Sequence, residues 1–182
     1  MQILAISGSL RGRSTNTELL LAAMRLAPPD MKIELYDGLD RLPHFNPDLE
    51  PTEPEPVMDL KRRLHRADGL MIATPEYARG VPGSLKNALD WLVSGPEFVD
   101  KPVVLLSAST RSTYAYDTLR TTITTMSGRL IENASITLPL LGRNYDAAAI
   151  VADVELARSL RAALEVFQNA IDQRSAEGAR NA

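Results

Sequence analysis

The stretch that decides the fold is Ile3-Leu4-Ala5-Ile6-Ser7-Gly8-Ser9-Leu10-Arg11-Gly12-Arg13-Ser14-Thr15-Asn16, an apolar run that opens into a loop of hydroxyls, glycines and arginines. The residues from Thr17 to Ala27 that follow it carry apolar side chains at helical spacing. The pattern predicts a buried strand, a loop and the start of a helix, in that order. Because main-chain N–H groups and the helix dipole favour an anion at such a junction, we expect a phosphate site there.

The composition limits the possible partners. The chain has 182 residues, of which 45% are apolar, and this is enough to bury a core in one domain. A net charge of −3 argues against nucleic acid and anionic membranes as partners, since both favour a clustered positive surface. The absence of cysteine excludes disulfides, thiolate metal sites and cysteine nucleophiles.

Targeting signals are not evident in the sequence. No basic region precedes an apolar stretch at the start, and no apolar run reaches the ~20 residues of a membrane span. We therefore expect a cytoplasmic protein. We also expect residues 1–172 to form a single domain, and the small polar segment 173–182 to be a frayed tail.

Strand and helix patterns alternate along the chain. Further strands are predicted at Lys32–Tyr36, Gly69–Thr74 and Val103–Leu106, with one or two more in Arg129–Pro139. Helices are predicted over Thr17–Ala27, Val57–Ala67, Ser84–Val93, Tyr114–Ser127 and Ala152–Ile171, with Ser84 as an N-cap. Such alternation predicts an α/β fold, a doubly wound parallel sheet with helices on both faces.

Ligands of such sheets bind beyond the carboxyl ends of the strands, where the loops after the first, third and fourth strands should converge. The second of these loops, Pro75–Gly83, holds two prolines and two glycines. The third, Ser107–Thr113, is rich in hydroxyls and includes Ser109. The segment from Leu39 to Pro56 carries five prolines, so we expect an extended loop that could form a pocket wall and let His44 reach a substrate.

The first loop does not match the two common phosphate motifs. Its glycines, Gly8 and Gly12, lack the spacing of the dinucleotide motif and fall one residue short of a P-loop, with Arg13 where lysine is required. What remains is a cluster of donors: Ser7, Ser9, Arg11, Ser14, Thr15 and Asn16. The same residues would also suit an ordinary strand-to-helix turn with Thr15 or Asn16 as the N-cap.

Two motifs resemble the NADPH-dependent FMN reductase family, a flavodoxin-like group that includes chromate, quinone and azo-dye reductases. One is Gly8-Ser9-Leu10-Arg11 with Ser14 and Asn16, similar to the family's phosphate loop. The other is Pro75-Glu76-Tyr77 with the stretch Val81-Pro82-Gly83-Ser84-Leu85-Lys86-Asn87-Ala88-Leu89-Asp90-Trp91, similar to its flavin-ring loop and following helix. The resemblance implies a five-stranded sheet of order 2-1-3-4-5.

The resemblance also implies a function. FMN would be the cofactor and NADPH, or NADH, the hydride donor, with a quinone, flavin, azo compound or oxidised metal ion as the small-molecule acceptor. The implied contacts to FMN come from all three loops: Ser9, Arg11, Ser14, Thr15, Asn16, Pro75, Glu76, Tyr77, Ala78, Ser107 and Ser109. No residue is predicted to be catalytic or to bind a metal, because FMN carries the chemistry. Family members are commonly homodimers or homotetramers.

The chain departs from the family pattern at two places. Ala78 stands where the family usually has asparagine, and the segment from Ser107 to Asp117 has no glycine. Three arginines, Arg13, Arg79 and Arg111, are candidates for contacts to an NADPH phosphate or to an anionic reduced flavin. Two alternatives stay open: a non-catalytic FMN-binding or electron-transfer module, and a flavin-free protein that acts through protein contacts.

Overall fold

The structure is a computed structural model that describes residues 1–111 and 113–180. Over these residues six strands form one parallel sheet. They are β1 (Gln2–Ser7), β2 (Lys32–Leu35), β3 (Gly69–Ala73), β4 (Pro102–Ser107), β5 (Arg129–Leu130) and β6 (Ile136–Thr137). The order β2-β1-β3-β4-β5 confirms the predicted doubly wound topology.

Two short strands share the fifth position of the sheet, which agrees with the one or two strands predicted in Arg129–Pro139 and adds one to the five that the resemblance implies. The first part of β4 pairs with β5, and its end pairs with β6, where Leu106 lies opposite Ile136. Between the two, a single 3-10 turn interrupts the strand, and the Ser135 hydroxyl accepts the Leu105 N–H at 3.1 Å. A side-chain oxygen thus replaces the missing main-chain partner.

Helices cover both faces of the sheet, as predicted. One face packs against α1 (Thr15–Leu26), α5 (Ala147–Ala152) and α6 (Val154–Arg180). The opposite face packs against α2 (Glu55–Arg66), α3 (Gly83–Leu92) and α4 (Thr113–Thr125). The central strands β1, β3 and β4 are buried on both faces, which explains their continuous apolar runs.

Several helix boundaries correct the prediction. Helix α3 begins at Gly83 after Pro82, so Ser84 lies inside the helix and is not its N-cap. The helix predicted over Ala152–Ile171 corresponds to α6, which begins at Val154, where the Asp153 carboxylate accepts the Leu156 N–H at 3.2 Å. Helix α5 lies before the predicted range, which it meets only at Ala152, and was not predicted. Helix α6 continues to Arg180, so most of the segment expected to fray is helical, while residues 181–182 lie outside the described residues.

The proline-rich segment is less extended than predicted, because it contains 3-10 turns at Leu39–Arg41 and Pro47–Thr52. It is fastened to α3 by the Pro43 carbonyl, which accepts the Asn87 amide and the Trp91 indole N–H, both at 2.9 Å. These bonds give the two α3 residues a structural role. Among the described residues, no helix is both long and apolar enough to span a membrane.

The first loop leaves the sheet in very close contact with the end of β3. The Gly8 N–H donates to the Ala73 carbonyl at 2.8 Å, one step beyond the last paired residues. A Cβ on Gly8 would lie 2.2 Å from the Thr74 Oγ1 and 2.8 Å from the Thr74 Cβ. Only glycine therefore fits here, and its absence of a side chain lets the first and second loops meet.

Replacing Gly8 with alanine should force these two loops apart. We expect Gly8→Ala to lower the free energy of unfolding by about 1–3 kcal/mol, the usual cost of overpacking. Urea denaturation measures this loss. Gly12→Ala is the matched control, because a Cβ there meets nothing within 4 Å, and it should change the free energy of unfolding little. Equal stability of the two variants would contradict the close approach.

Candidate functional site

A cleft of about 340 Å³ lies where the loops after β1, β3 and β4 converge. This is the carboxyl edge of the sheet, beside the switch point between β1 and β3. Its volume is within the range of small-molecule sites. The residues that line it are Ser9, Arg11, Ser14, Thr15, Asn16, Thr74, Pro75, Glu76, Tyr77, Ala108, Ser109, Arg111 and Leu141. The structure thus brings together nine of the eleven predicted contact residues, with members from all three loops.

The start of α1 forms one end of the cleft. Ser14 is the N-cap, rather than Thr15 or Asn16, but its side chain makes no capping bond. Within the described part of the chain, the N–H groups of the helix's first three residues, 15–17, also have no acceptor. Ser14 and Asn16 are 5% and 9% exposed, so polar groups without partners face the cleft from a mostly buried position. This end of the cleft suits a phosphate or another anion.

The first and third loops share one local pattern, a serine followed two residues later by an arginine. The Ser9 Oγ accepts the Arg11 N–H at 3.3 Å, and the Ser109 Oγ accepts the Arg111 N–H at 3.1 Å. Neither guanidinium forms an ion pair with a described residue. Both arginines line the cleft, which gives it positive charge from two sides.

Ser107 was predicted to contact the cofactor, but it does not line the cleft. It is 2% exposed, and its hydroxyl donates to the Ser109 carbonyl at 2.8 Å and accepts the Ser109 N–H at 3.2 Å. Its role is therefore to shape the third loop. Burial raises the pKa of the nearby Tyr116, so this phenol stays neutral at physiological pH.

The second loop makes a tight turn after its Pro-Glu-Tyr triplet. Tyr77 and Gly80 exchange two main-chain hydrogen bonds of 3.0 Å. The two residues between them, Ala78 and Arg79, have φ angles of 50° and 61°, the left-handed values of a type I′ turn. Ala78 was predicted to contact the cofactor, but it sits at the exposed tip of the turn and does not line the cleft.

Glu76 lines the cleft and also contacts the third loop's helix. Its carboxylate accepts the N–H of Ala115, the third residue of α4, at 3.0 Å. A second contact follows in the same loop, where the Arg79 guanidinium lies 5.0 Å from the centre of the Tyr114 ring. The second loop is therefore fastened to the first turn of α4 at two points.

Sequence reasoning missed three lining residues: Thr74, Ala108 and Leu141. Leu141 follows β6, so the rule that loops at the carboxyl edge converge could have identified it. Conversely, the proline-rich segment and its His44 do not line the cleft, which corrects the expectation of a pocket wall. Arg13 is exposed on the first loop and does not line it either.

A second cavity, of about 350 Å³, lies between the first half of β1 and the end of α2. Its charged side chains pair with one another: Arg63 bonds Glu34 at 2.7 Å, and Arg62 bonds Asp59 at 2.9 Å. The groups that could hold a ligand are thus mostly satisfied, unlike those at the start of α1. No cluster of three or more metal-binding side chains occurs among the described residues.

Residues 1–138 match the family profile described as NADPH-dependent FMN reductase. The chain belongs to this family. The matched range contains every lining residue of the cleft except Leu141.

Two reductases are similar to this chain in sequence. It is 41% identical over 112 residues to an NAD(P)H-dependent FMN reductase of Pseudomonas aeruginosa, and 34% identical over 113 residues to a quinone reductase of Escherichia coli. Each match covers 60% of this chain and 60% of the relative, so less than two thirds of either relative's length is matched.

A solved structure extends the likeness over nearly the whole chain. It is FerB of Paracoccus denitrificans, described as a flavoenzyme NAD(P)H:(acceptor) oxidoreductase, with a TM-score of 0.85 and 26% identity. The match covers 94% of this chain and 97% of that one. The fold therefore agrees with the flavodoxin-like prediction.

The turn at Ala78 leads to a test of local strain. A side chain in the left-handed region costs roughly 1–2 kcal/mol, and asparagine tolerates it better than alanine. We expect Ala78→Asn to raise the free energy of unfolding by about 0.5–1 kcal/mol in urea denaturation. The control is Ala152→Asn at the exposed end of α5, where no such gain is expected. A loss of stability in Ala78→Asn would contradict the strain.

Proposed function

We propose that this chain is a flavoenzyme that binds FMN in the cleft and passes electrons from NADPH, or NADH, to a small acceptor. The observation that carries the proposal is the cleft itself. Polar groups without partners at the start of α1 and the Pro75–Tyr77 loop face one cavity at the switch point of the sheet. Family membership supports the same conclusion.

The FMN phosphate would be held at the start of α1. Ser9, Ser14, Thr15 and Asn16 would donate hydrogen bonds, and Arg11 would add a charge-assisted one. The donors fit a phosphate because several of them have no protein partner and the helix dipole adds positive potential. The proposal therefore rests on the chemistry of these side chains as well as on the resemblance.

The second and third loops would hold the flavin ring. Pro75 and Tyr77 offer an apolar and aromatic wall, and Ser109 of the third loop offers polar groups. Tyr77 is 51% exposed, so its ring is available to a planar ligand. Ala78 and Ser107 would act indirectly, through the turn and the loop that they shape.

FMN, when bound, supplies the redox chemistry by accepting a hydride and delivering electrons. NAD(P)H would lose the hydride, and a quinone acceptor would leave as the hydroquinone after gaining two electrons and two protons. The residues of the chain would position the ring and limit water around it. Arg111, which lines the cleft without an ion pair among the described residues, would attract the anionic donor.

Quinones are the acceptors that we favour, because relatives from Escherichia coli and Burkholderia are named quinone reductase and 2-hydroxy-1,4-benzoquinone reductase. Free flavins, azo compounds and oxidised metal ions remain predicted acceptors. We also propose that residues 1–172 work as one domain and that the protein is a homodimer or homotetramer. Exposed apolar side chains near the cleft, Leu10 and Leu141, support an interface there. The cytoplasm is the proposed compartment, since NAD(P)H is available inside cells.

The proposed reaction predicts a colour change. The chain loaded with FMN should be yellow, should bleach when NADPH is added without oxygen, and should recover its flavin absorption when a benzoquinone follows. Absorption spectroscopy measures all three steps. A yellow protein that NAD(P)H does not bleach would favour the electron-transfer module instead. A colourless chain that ignores added FMN would favour the flavin-free interaction protein.

Arg11→Ala separates the phosphate contact from the ring contacts. A charge-assisted hydrogen bond contributes about 1.5–3 kcal/mol, so FMN affinity should fall roughly 10- to 100-fold. Riboflavin, which lacks the phosphate, should bind unchanged. Fluorescence titration measures both affinities. Arg13→Ala is the matched control, because it removes the same charge from the same loop outside the cleft. Unchanged FMN affinity in Arg11→Ala would contradict the phosphate assignment.

A further inference from the structure

The first and third loops have the same sequence pattern, Ser-x-Ser-x-Arg, at the end of a strand. Ser7, Ser9 and Arg11 form the first copy, and Ser107, Ser109 and Arg111 form the second. In each copy the first serine's hydroxyl lies 3.2–3.4 Å from the N–H of the second serine. The hydroxyl of the second serine in turn accepts the arginine N–H. Each loop then leads into a helix, α1 or α4.

The starts of the two helices nevertheless differ. The first three N–H groups of α1 have no acceptor among the described residues. At α4 the N–H of Ala115 is occupied, because the Glu76 carboxylate accepts it at 3.0 Å. At the start of α4 the chain therefore supplies its own carboxylate, whereas the start of α1 leaves the same position open to the anion of a ligand.

Glu76 belongs to the second loop and lines the cleft, so this bond fastens the second loop to the helix that follows the third loop. The Arg79–Tyr114 contact lies beside it and joins the same two elements. The tight turn between Tyr77 and Gly80 restricts the conformations that the loop can adopt. Loss of the carboxylate would remove the stronger of the two tethers, since hydrogen bonds to charged groups exceed cation–π contacts at exposed sites.

We propose that Glu76 is a positioning residue: it acts as a built-in anion for α4, and so holds the second and third loops at the separation that the flavin ring requires. The inference rests on the proposed function, because it concerns how the cleft holds FMN.

The test compares FMN with riboflavin in fluorescence titrations of folded protein. Glu76→Ala should lower the affinity for both flavins by the same factor, about ten-fold or more. The reason is that the variant loosens the ring side of the cleft and leaves the phosphate side intact. Glu76→Gln keeps a side-chain oxygen as acceptor but loses the charge, so it should lower the affinity for both flavins equally and by a smaller factor than Glu76→Ala does. Acetate should restore riboflavin binding to Glu76→Ala by replacing the lost carboxylate, whereas chloride at equal ionic strength should not.

Asp153→Ala is the matched control. The Asp153 carboxylate accepts the N–H of the third residue of α6, Leu156, at 3.2 Å, and no lining residue of the cleft is on that helix. Asp153→Ala should lower the free energy of unfolding about as much as Glu76→Ala does. It should change neither flavin affinity, and acetate should have no effect on it. Glu76→Asp, whose shorter side chain no longer reaches Ala115, replaces Glu76→Ala if the latter does not fold.

The outcomes are distinct. An equal loss of affinity for both flavins in Glu76→Ala, together with rescue by acetate, supports the positioning role. Unchanged riboflavin affinity in Glu76→Ala, a loss confined to FMN, or the absence of acetate rescue overturns it while leaving the proposed function intact. An unaltered chain that binds neither flavin overturns both.

Discussion

The parallel pairing of β1 with β3 is the constraint on which the rest of the structure depends. The two strands lie side by side although they are far apart in the sequence. Ile3 lies opposite Gly69 and Ser7 opposite Ala73, and the residues of each pair are 66 positions apart. The Gly8 N–H extends the pairing by one bond, to the Ala73 carbonyl. The first and second loops therefore leave the sheet in contact, and the cleft forms where they diverge.

Electrostatics then divides the cleft into two ends. At α1 the helix start offers N–H groups without acceptors, while at α4 a carboxylate of the chain fills the equivalent position. A mononucleotide has the matching asymmetry, with a dianion at one end and a flat, largely apolar ring at the other. The two copies of one loop pattern thus serve different purposes, because one of them is satisfied by the protein itself.

The long apolar runs predicted the doubly wound sheet, and the family resemblance implied its strand order, which the structure confirms. The clustered donors of the first loop line the cleft, and their contacts to a phosphate stay a prediction. The sequence analysis missed Leu141, because the strand before it is only two residues long and gives almost no periodic signal. The sequence gave no sign that Ser107 and Ala78 lie outside the cleft lining, since whether a loop side chain faces the cleft depends on hydrogen bonds within the loop. The bond from Glu76 to Ala115 joins residues 39 apart and has no local signature.

The central claim is that one cleft holds FMN with its phosphate at the start of α1 and its ring at the second loop. A crystal structure of the chain grown with FMN tests this most directly. The account predicts phosphate density against the N–H groups of residues 15–17 and ring density beside Pro75 and Tyr77. Phosphate density at the start of α4, or flavin density in the cavity beside α2, would contradict it.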